Sequence, residues 1–346
     1  MDVISCLDWI PRKFCNSDFF EDYIHSNFSD KPLVHNEQFF NIRTTDENLL
    51  LEDQEDINAR KLDESDRVII AGITKEYFSS LVVYLYDVDT CGLEPNHTIQ
   101  LSNFPLCSEL VTIPELPPLL AVGTFEPEIS LYNLKLINQL NPTLSLYDNT
   151  INDNVSVLSL SFSTANKLVG GYSDNALRVW DLTHSSIVFT SIHHTKHVQV
   201  VLWNPEDDDI ILTGSFDQKA SLNGYNLGND IECAIWSSNH TSIFGLENGE
   251  VMEYDWKSGK ELWRLKLHKK SCSDIKLYTI NEERRLITCG LDSKAKVYNI
   301  ITQEPTLIME KNLKTGPIFA SSISPDDEGL LSFGGRNLVI WDLNTL

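Results

Sequence analysis

The chain has 346 residues, of which 42% are hydrophobic and 22% charged, an ordinary composition for a globular protein. Its charge balance is unusual, because 27 basic and 50 acidic residues give a net charge of −23. Such a surface argues against direct binding to nucleic-acid backbones, because proteins bind these backbones mainly through Lys and Arg. It suits basic protein partners, or serves solubility alone. A domain of roughly 300 residues buries about 75% of its unfolded surface, so the chain needs no disulfide or metal for stability.

The cysteines and the absence of targeting segments indicate an intracellular protein. The seven cysteines are scattered and form no C-x-x-C pair, which is typical of free thiols in a reducing compartment. The first residues, MDVISCLDW, lack the apolar core of a signal peptide. Every apolar run is shorter than the roughly 18 residues of a membrane span, so we expect no membrane partner.

The chain begins with a predicted strand in residues 1–11, followed by an acidic insertion over residues 12–66. Ile4–Pro11 has the same pattern as Val200–Pro205 further along. After the insertion, Arg67–Thr74 and Leu81–Val88 predict two more strands of the same unit. Nine acids lie between residues 44 and 66, so we expect a solvated, partly disordered segment there.

Six further units repeat one pattern of three short β-rich runs separated by polar turns. The clearest is Val157–Leu182, with the runs VLSLSF, KLVGGY and ALRVWDL. Most of the third runs end 43 to 48 residues apart, close to the length of a WD40 blade. With the N-terminal unit, they predict an all-β fold: a single seven-bladed WD40 β-propeller formed by residues 1–11 and 67–346. The third runs end at Leu134, Leu182, Leu227, Trp256, Ile300 and Leu343.

Two blades are predicted to be incomplete. Leu227 and Trp256 are only 29 residues apart, which leaves no room for an outer strand after the run YNL and predicts a blade of three strands. The last blade ends near Leu343, so it also has three strands unless Gln38–Arg43 of the insertion supplies the fourth. We expect the ring to close by packing of its first and last blades.

Several polar residues have the spacing of the hydrogen-bonded network found inside WD blades. Each set recurs at the repeat period and lacks a fixed nucleophile, so it predicts a structural network rather than a catalytic dyad. Asp174 with Trp180 supplies half of such a network in a blade without an upstream histidine. The predicted network residues are His193, Thr213 and Asp217; His268, Thr288 and Asp292; Asp174 and Trp180; and Trp341.

The sequence contains no recognisable catalytic, cofactor or metal motif. His193, His194 and His197 lie in a predicted loop, where residues four apart do not share a helical face, and no paired cysteines accompany them. We therefore expect a protein that is not an enzyme, with no catalytic residues, no cofactor, no metal and no small-molecule substrate.

Two segments are candidates for partner binding because aromatic and proline residues replace the usual small polar turn. A rigid aromatic at a propeller turn either packs under the neighbouring loop or contacts a partner, and the sequence leaves both interpretations open. The candidate partner-binding residues are Phe104, Pro105, Phe125, Glu126, Pro127 and Glu128.

Several segments occur in an order that is characteristic of one family. They are ISCLDWIPR, an acidic insertion, FPLC followed by AVGTFEPEISLYNL, DNALRVWDL, and SIHHTKHVQVVLW with LTGSFD. Together they resemble the periodic tryptophan protein 1 family of WD-repeat proteins, and FPLC with GTFEPEI is the most specific part. The resemblance implies a non-catalytic scaffold of the nucleus and nucleolus, acting in assembly of the large ribosomal subunit precursor and in rRNA processing. The implied partners are ribosome assembly factors and basic ribosomal proteins, with pre-ribosomal RNA contacted indirectly.

The chain departs from the family in one region that bears on RNA. Lys135–Thr150 contains one lysine where the family has a lysine-rich stretch. The charged tail expected after the last blade is also missing. A histone- or chromatin-binding propeller is the alternative hypothesis, and it is motivated by the net charge and by the acidic segment Thr44–Asp66.

Overall fold

The computed structural model describes residues 2–17, 19–22, 61–114, 116–137, 139–221, 224–280, 283–300 and 304–345. In this part of the chain, six four-stranded sheets and one three-stranded sheet follow one another in sequence order, and all are antiparallel. These sheets are the seven blades of a β-propeller, so the predicted fold is confirmed.

The first four blades each contain an inner, a second, a third and an outer strand. Blade 1 has Val3–Ile10, Asp66–Lys75, Phe78–Asp87 and Gly92–Leu101. Blade 2 has Pro105–Val111, Leu119–Thr124, Ile129–Asn133 and Leu144–Leu146. Blade 3 has Val157–Ser163, Lys167–Tyr172, Leu177–Asp181 and Ser186–Ser191. Blade 4 has Val198–Trp203, Ile211–Ser215, Lys219–Ser221 and Tyr225–Asn226.

The remaining blades continue this order. Blade 5 has Ile231–Trp236, Thr241–Leu246, Glu250–Asp255 and Lys260–Lys266. Blade 6 has Cys272–Ile280, Glu283–Gly290, Lys294–Asn299 and Thr306–Asn312. Blade 7 has Ala320–Ile323, Leu330–Gly334 and Leu338–Asp342. Arg12–Phe14 and Leu343–Thr345 are short 3-10 helices, and none of the helices described is long and apolar enough to cross a membrane.

The strands form because each blade buries both of its faces against its neighbours. The second strands Leu119–Thr124 and Thr241–Leu246 are buried along their whole length, which explains their continuous small and apolar sequences. Apolar clusters lie between adjacent blades, and one of them joins Leu131 of blade 2 to Trp180 of blade 3. We call the side on which the inner strands begin the upper face, and the side on which they end the lower face.

Hydrogen bonds from inner-strand side chains also join neighbouring blades. The hydroxyl of Ser5 donates to the carbonyl of Pro105 at 2.6 Å, linking blades 1 and 2. The hydroxyl of Ser273 donates to the carbonyl of Ile318 at 2.6 Å, linking blade 6 to the chain entering blade 7. These bonds satisfy backbone groups that adjacent sheets would otherwise leave unpaired near the axis.

Blade 4 corrects one sequence-based expectation. The run ending at Leu227 was predicted to be a third strand without an outer partner, but Tyr225–Asn226 is the outer strand of a four-stranded sheet. Lys219 pairs with Asn226 and Ala220 with Tyr225. The prediction was wrong because the third and outer strands have only three and two residues and fit inside one predicted run.

The described ends of the acidic insertion pack between blades 1 and 2. Phe19, Phe20 and Leu62 are buried in the cluster that contains Ile10 and Leu134. The backbone of Glu21–Asp22 pairs in parallel with Leu136–Ile137. Residues 23–60, which include the candidate strand Gln38–Arg43 and most of the acidic segment, lie outside the described residues.

Blades 7 and 1 close the ring by packing, as predicted, and blade 7 has three strands in the described part of the chain. The N–H of Ile4 donates to the carbonyl of Gly335 at 2.8 Å. A Cβ on Gly334 would lie 2.5 Å from Cγ2 of Ile4, so only glycine permits this close approach. Near the lower face, the guanidinium of Arg67 donates to both carboxylate oxygens of Asp327, at 2.6 and 2.9 Å.

Candidate protein-binding face

The upper face carries the candidate partner-binding residues. In an antiparallel blade, the turn between the second and third strands opens on the same side as the loop leading to the next inner strand. Phe125 lies in such a turn of blade 2, and Phe104 lies in the loop from blade 1 to blade 2. The topology therefore brings both aromatic residues to one face.

Phe104 and Phe125 are in contact, with ring centroids 5.7 Å apart and ring planes tilted by 46°. Phe125 nevertheless remains 51% exposed, while Phe104 is half-buried. Pro105 and Pro127 are buried and hold the two backbones in place. Phe125 thus packs on the neighbouring loop and still presents about half of its surface to solvent, and its contact with a partner stays a prediction.

The acidic residues of this turn are fixed by local hydrogen bonds. The carboxylate of Glu126 accepts hydrogen bonds from Ser102 and Asn103, both at 3.4 Å. Glu128 accepts a hydrogen bond from Ser130 at 3.3 Å. These contacts give the exposed aromatic residue a defined acidic border, which is the arrangement expected of an anchor with a polar rim.

Two more exposed aromatic residues, which the sequence-based prediction missed, lie on the same face in blade 1. Tyr77 is 94% exposed and Phe78 is 70% exposed at the turn between the second and third strands. A hairpin tip of this kind normally carries small polar residues, so the KEYF sequence was the available signal. Exposed aromatic residues grouped on one face are typical of protein-binding surfaces.

In blade 6 the predicted network residues lie within hydrogen-bond distance of one another. Nδ1 of His268 is 3.0 Å from Asp292, and Nε2 is 2.9 Å from the hydroxyl of Thr288. Because a carboxylate only accepts, the Nδ1–H donates to Asp292 and Nε2 accepts from Thr288. Burial lowers the pKa of His268, which keeps the ring neutral, against the opposing effect of Asp292. The two hydrogen bonds fix the buried ring of His268 between Thr288 of the second strand and Asp292 of the following turn.

In blade 4 the histidine of the network is His194 and not His193. Nδ1 of His194 is 3.1 Å from Asp217, and its Nε2 is 2.7 Å from Thr213. His193 is more exposed and lies 3.2 Å from the same threonine and 3.0 Å from the hydroxyl of Ser191, without reaching Asp217. The prediction was wrong by one residue. The spacing of 24 residues between His268 and Asp292 in blade 6 selects His193 by analogy, but the loop before the strand directs His194, 23 residues before Asp217, into the network.

Blade 3 joins Asp174 to Trp180 without a histidine. The carboxylate of Asp174 pairs with both terminal nitrogens of Arg178, at 3.0 and 2.5 Å. The Arg178 guanidinium lies over the ring of Tyr172, 4.5 Å from its centroid. The indole N–H of Trp180 donates to the hydroxyl of Tyr172 at 2.9 Å. An arginine and a tyrosine thus take the place of the histidine and threonine.

Trp341 of blade 7 does not belong to a hydrogen-bonded network of the kind predicted for it. Its indole nitrogen is buried and has no hydrogen-bond partner among the described residues. The ring is held instead by packing on Phe333, with Lys311 placed 4.9 Å from the ring centroid.

Around the propeller axis, charged side chains of the inner strands form a small cluster. Glu109 accepts a hydrogen bond from the backbone N–H of Phe162 at 2.9 Å, and Asp274 accepts from the backbone and hydroxyl of Ser321 at 2.8 and 2.9 Å. Lys276 lies 3.1 Å from Asp274. Burial, assisted by the charge of Asp8, raises the pKa of Glu109 to about 8. These groups link blades 2 to 3 and 6 to 7.

The described residues contain no group of histidine, cysteine and carboxylate side chains that could hold a metal ion. The histidines of blades 4 and 6 are instead committed to threonine and aspartate partners.

No protein-family model matches the chain. Its sequence is similar to periodic tryptophan protein 1 of Saccharomyces cerevisiae, with 23% identity over 81% of this chain and 64% of the relative. It is similar to the Drosophila melanogaster homologue, with 24% identity over 79% and 66%. The chain resembles the periodic tryptophan protein 1 family. An uncharacterized WD repeat-containing protein of Schizosaccharomyces pombe is 25% identical over 85% of this chain and 65% of the relative.

The resemblance inferred from FPLC and GTFEPEI is therefore confirmed, and the chain spans 64–66% of the length of these relatives. Among solved structures, the WD40 propeller domain of Doa1 matches with a TM-score of 0.64 at 19% identity, covering 80% of this chain and 88% of that domain. A chain of the mitotic checkpoint complex matches with a TM-score of 0.63 at 12% identity, covering 80% and 87%. These structural matches show the WD40 propeller fold alone. The fold and the relatives together support a WD-repeat scaffold.

Proposed function

We propose that this chain is a non-catalytic scaffold in ribosome biogenesis, acting in the nucleus and nucleolus during assembly of the large-subunit precursor and rRNA processing. The observation that carries the proposal is the likeness to periodic tryptophan protein 1, which extends over about four fifths of the chain. The propeller supplies a rigid ring with two faces, which suits a protein that holds several partners at once.

The charge distribution supports basic protein partners, with ribosomal proteins and assembly factors in that role and pre-ribosomal RNA contacted indirectly. On the lower face, the exposed acids Glu206–Asp209 and the acids Asp326–Glu328 lie in the turns between inner and second strands. The acidic insertion also leaves and re-enters blade 1 on this face. In this proposal residues 12–66 add acidic surface for the same partners, which electrostatic attraction brings to the protein.

Affinity purification of a tagged full chain from its native cells tests the proposal. We expect large-subunit precursors and assembly factors to be recovered together with the chain. Recovery of only unrelated complexes would contradict the ribosomal role while leaving the fold untouched. The relatives favour this proposal over a histone-binding propeller. Recovery of histones without ribosomal precursors would instead favour the histone-binding propeller.

A matched pair of variants tests the role of the upper face. Phe125→Ala removes an aromatic anchor that is 51% exposed, whereas Leu262→Ala removes a 48% exposed side chain from the outer strand of blade 5. Because exposed aromatic anchors carry much of the binding energy at interfaces, we expect only Phe125→Ala to reduce recovery of the assembly factors. Equal recovery with both variants, at matched thermal stability, would show that Phe125 on the upper face does not contribute to binding of the assembly factors.

A further inference from the structure

The outer strand of blade 3 differs from the other long outer strands in having no charge and no proline. It reads SIVFTS over Ser186–Ser191. The outer strand of blade 1 contains Glu94 and Pro95, and those of blades 5 and 6 contain several charged residues. The outer strands of blades 2 and 4 have only three and two residues. Charges, prolines and short lengths are the means by which proteins protect sheet edges from pairing with other chains, and blade 3 uses none of them.

The same edge exposes apolar side chains. Val188 is 53% exposed, Phe189 is 54% exposed, and Ile192, just beyond the strand, is 69% exposed. A strand at a sheet edge has free backbone donors and acceptors along one side, so this edge combines hydrogen-bonding groups with apolar contact surface.

A cleft of about 590 Å³ lies beside this edge, between blades 3 and 4. Its apolar wall includes Leu177, Phe189 and Ile211, and its polar lining includes His193, Asp209 and Lys219. The cleft exists because the third and outer strands of blade 4 have three and two residues, against five and six in blade 3. The described residues of blade 4 therefore leave the peripheral part of blade 3 uncovered.

The charge around the cleft identifies the occupant that suits it. Asp209 and Lys219 both line the cleft, and Asp209 ends an exposed run of four acids that begins at Glu206, so acidic groups outnumber the lysine here. Burial and the neighbouring His194 lower the pKa of His193, so this side chain adds no positive charge at neutral pH. A second copy of the chain would bring another net charge of −23 to the contact, and this repulsion opposes pairing of two such edges.

We propose that the outer strand of blade 3 is a docking edge for an extended segment of a partner protein that alternates apolar with basic residues. The segment adds a fifth strand to blade 3 and places an apolar side chain in the cleft beside Phe189. Its basic residues meet the acidic run Glu206–Asp209. The inference does not depend on the ribosomal role, because it concerns the chemistry of the partner segment and is tested with purified protein.

The test uses a fluorescein-labelled, end-blocked peptide of sequence KVKFKVKV and the purified full chain. Two control peptides separate the contributions: KKKKVVVF has the same composition without alternation, and EVEFEVEV has the alternation with reversed charge. We expect fluorescence anisotropy to show that KVKFKVKV binds at least about tenfold more tightly than either control. Hydrogen exchange should show new protection of the amides in Ser186–Ser191.

A matched pair of variants locates the site. Val188→Lys places a charge on the docking edge, and Ile308→Lys places the same charge on the outer strand of blade 6, where Ile308 is 48% exposed. We expect Val188→Lys to weaken binding of KVKFKVKV by at least about tenfold, and Ile308→Lys to change it by less than about twofold. Both positions lie at the surface, so both variants should melt near the temperature of the parent protein.

Three results would overturn the proposal. The first is no binding of KVKFKVKV. The second is binding that Val188→Lys leaves unchanged, since this would indicate non-specific attraction to an acidic protein. The third is a dimer, detected by sedimentation, that Val188→Lys abolishes, since the edge would then be occupied by a second copy. None of these results bears on whether the protein associates with ribosomal precursors.

Discussion

Blades 3 and 7 end their third strands with the same dipeptide, Trp180-Asp181 and Trp341-Asp342, but they hold the tryptophan in different ways. The indole N–H of Trp180 donates to Tyr172, whereas that of Trp341 has no partner in the described part of the chain. Trp180 pairs with Leu168 and Trp341 with Leu331, so Tyr172 and Gly335 hold equivalent positions. The acceptor is missing in blade 7 because glycine has no side chain.

A second substitution between the two blades has the same effect. Arg178 pairs with Gly170 and Val339 with Phe333, which makes Arg178 and Val339 equivalent. Blade 3 can therefore build the ion pair with Asp174, and blade 7 cannot. The comparison teaches that the Trp-Asp signature marks a strand end, while residues on the second and third strands decide whether a polar network forms behind it.

The largest expected effect comes from breaking the blade 3 ion pair. In Asp174→Ala the guanidinium of Arg178, whose side chain is 10% exposed, loses its carboxylate partner. We expect a loss of about 2–4 kcal/mol in the free energy of unfolding, measured by urea denaturation. The control is Asn337→Ala in the corresponding exposed turn of blade 7, expected to cost less than about 0.5 kcal/mol. Similar losses in both variants would mean that the ion pair is not what distinguishes the blades.

A direct comparison of the two tryptophans should give the next largest effect. Trp180→Phe leaves the buried hydroxyl of Tyr172 without its donor, so we expect a loss of about 2 kcal/mol. Trp341→Phe removes an indole N–H without a partner among the described residues, so we expect a loss below about 1 kcal/mol. Denaturation midpoints of the two variants measure the difference. A larger loss for Trp341→Phe than for Trp180→Phe would contradict the proposal that the hydrogen bond to Tyr172 makes the difference between the two tryptophans.

The pH dependence of the free energy of unfolding should distinguish the histidine network of blade 6 from the arginine ion pair of blade 3. Folding lowers the pKa of His268, so below about pH 6.5 the unfolded state binds a proton that the folded state resists. The contribution of His268 to the free energy of unfolding is therefore fully present above this pH. It falls as the pH decreases, by at most about 1.4 kcal/mol per pH unit for one proton. In His268→Gln this component of the slope should disappear, whereas Asp174→Ala should leave the slope between pH 5 and 7 unchanged, since arginine does not titrate there. The measurement is the free energy of unfolding at several pH values, and an unaltered slope in His268→Gln would contradict it.

The smallest expected effect concerns the contact that fastens blade 7 to blade 1. Arg67→Gln removes the bidentate pair with Asp327, whose side chains are 14% and 26% exposed. We expect a loss of about 1 kcal/mol that shrinks at high salt, because the pair is partly open to solvent. Lys260→Gln, in the exposed outer strand of blade 5, is the control. A salt-independent loss would point to packing of the arginine stem instead.

Much of the fold was predictable from the sequence because the repeat period and the strand patterns are local signals. The triplet of runs in Val157–Leu182 corresponds closely to the first three strands of blade 3. The network of His268, Thr288 and Asp292 also follows from spacing, since strand register brings together residues about twenty positions apart.

The errors came where the same pattern fits two arrangements. The segment ending at Leu227 contains two very short strands. Side chains alternate every two residues in any strand, so this alternation does not distinguish two short strands from one longer strand. The repeat spacing of 24 residues to the aspartate favours His193, and only the loop conformation selects His194, which is 23 residues from Asp217. The charge cluster of Glu109 and Lys276 was not predictable, because its members come from distant inner strands that meet only when the ring is closed.

The contact between Ile4 and Gly335 bears on how the protein is made. The inner strand of blade 1 receives its blade 7 neighbour only after the other six blades have been synthesised. During elongation, Ile4, Leu7 and Trp9 lack Leu330, which belongs to the same apolar cluster in the finished ring. Until blade 7 is made, this apolar face of blade 1 stays uncovered, which exposes the growing chain to aggregation of the kind that chaperones prevent.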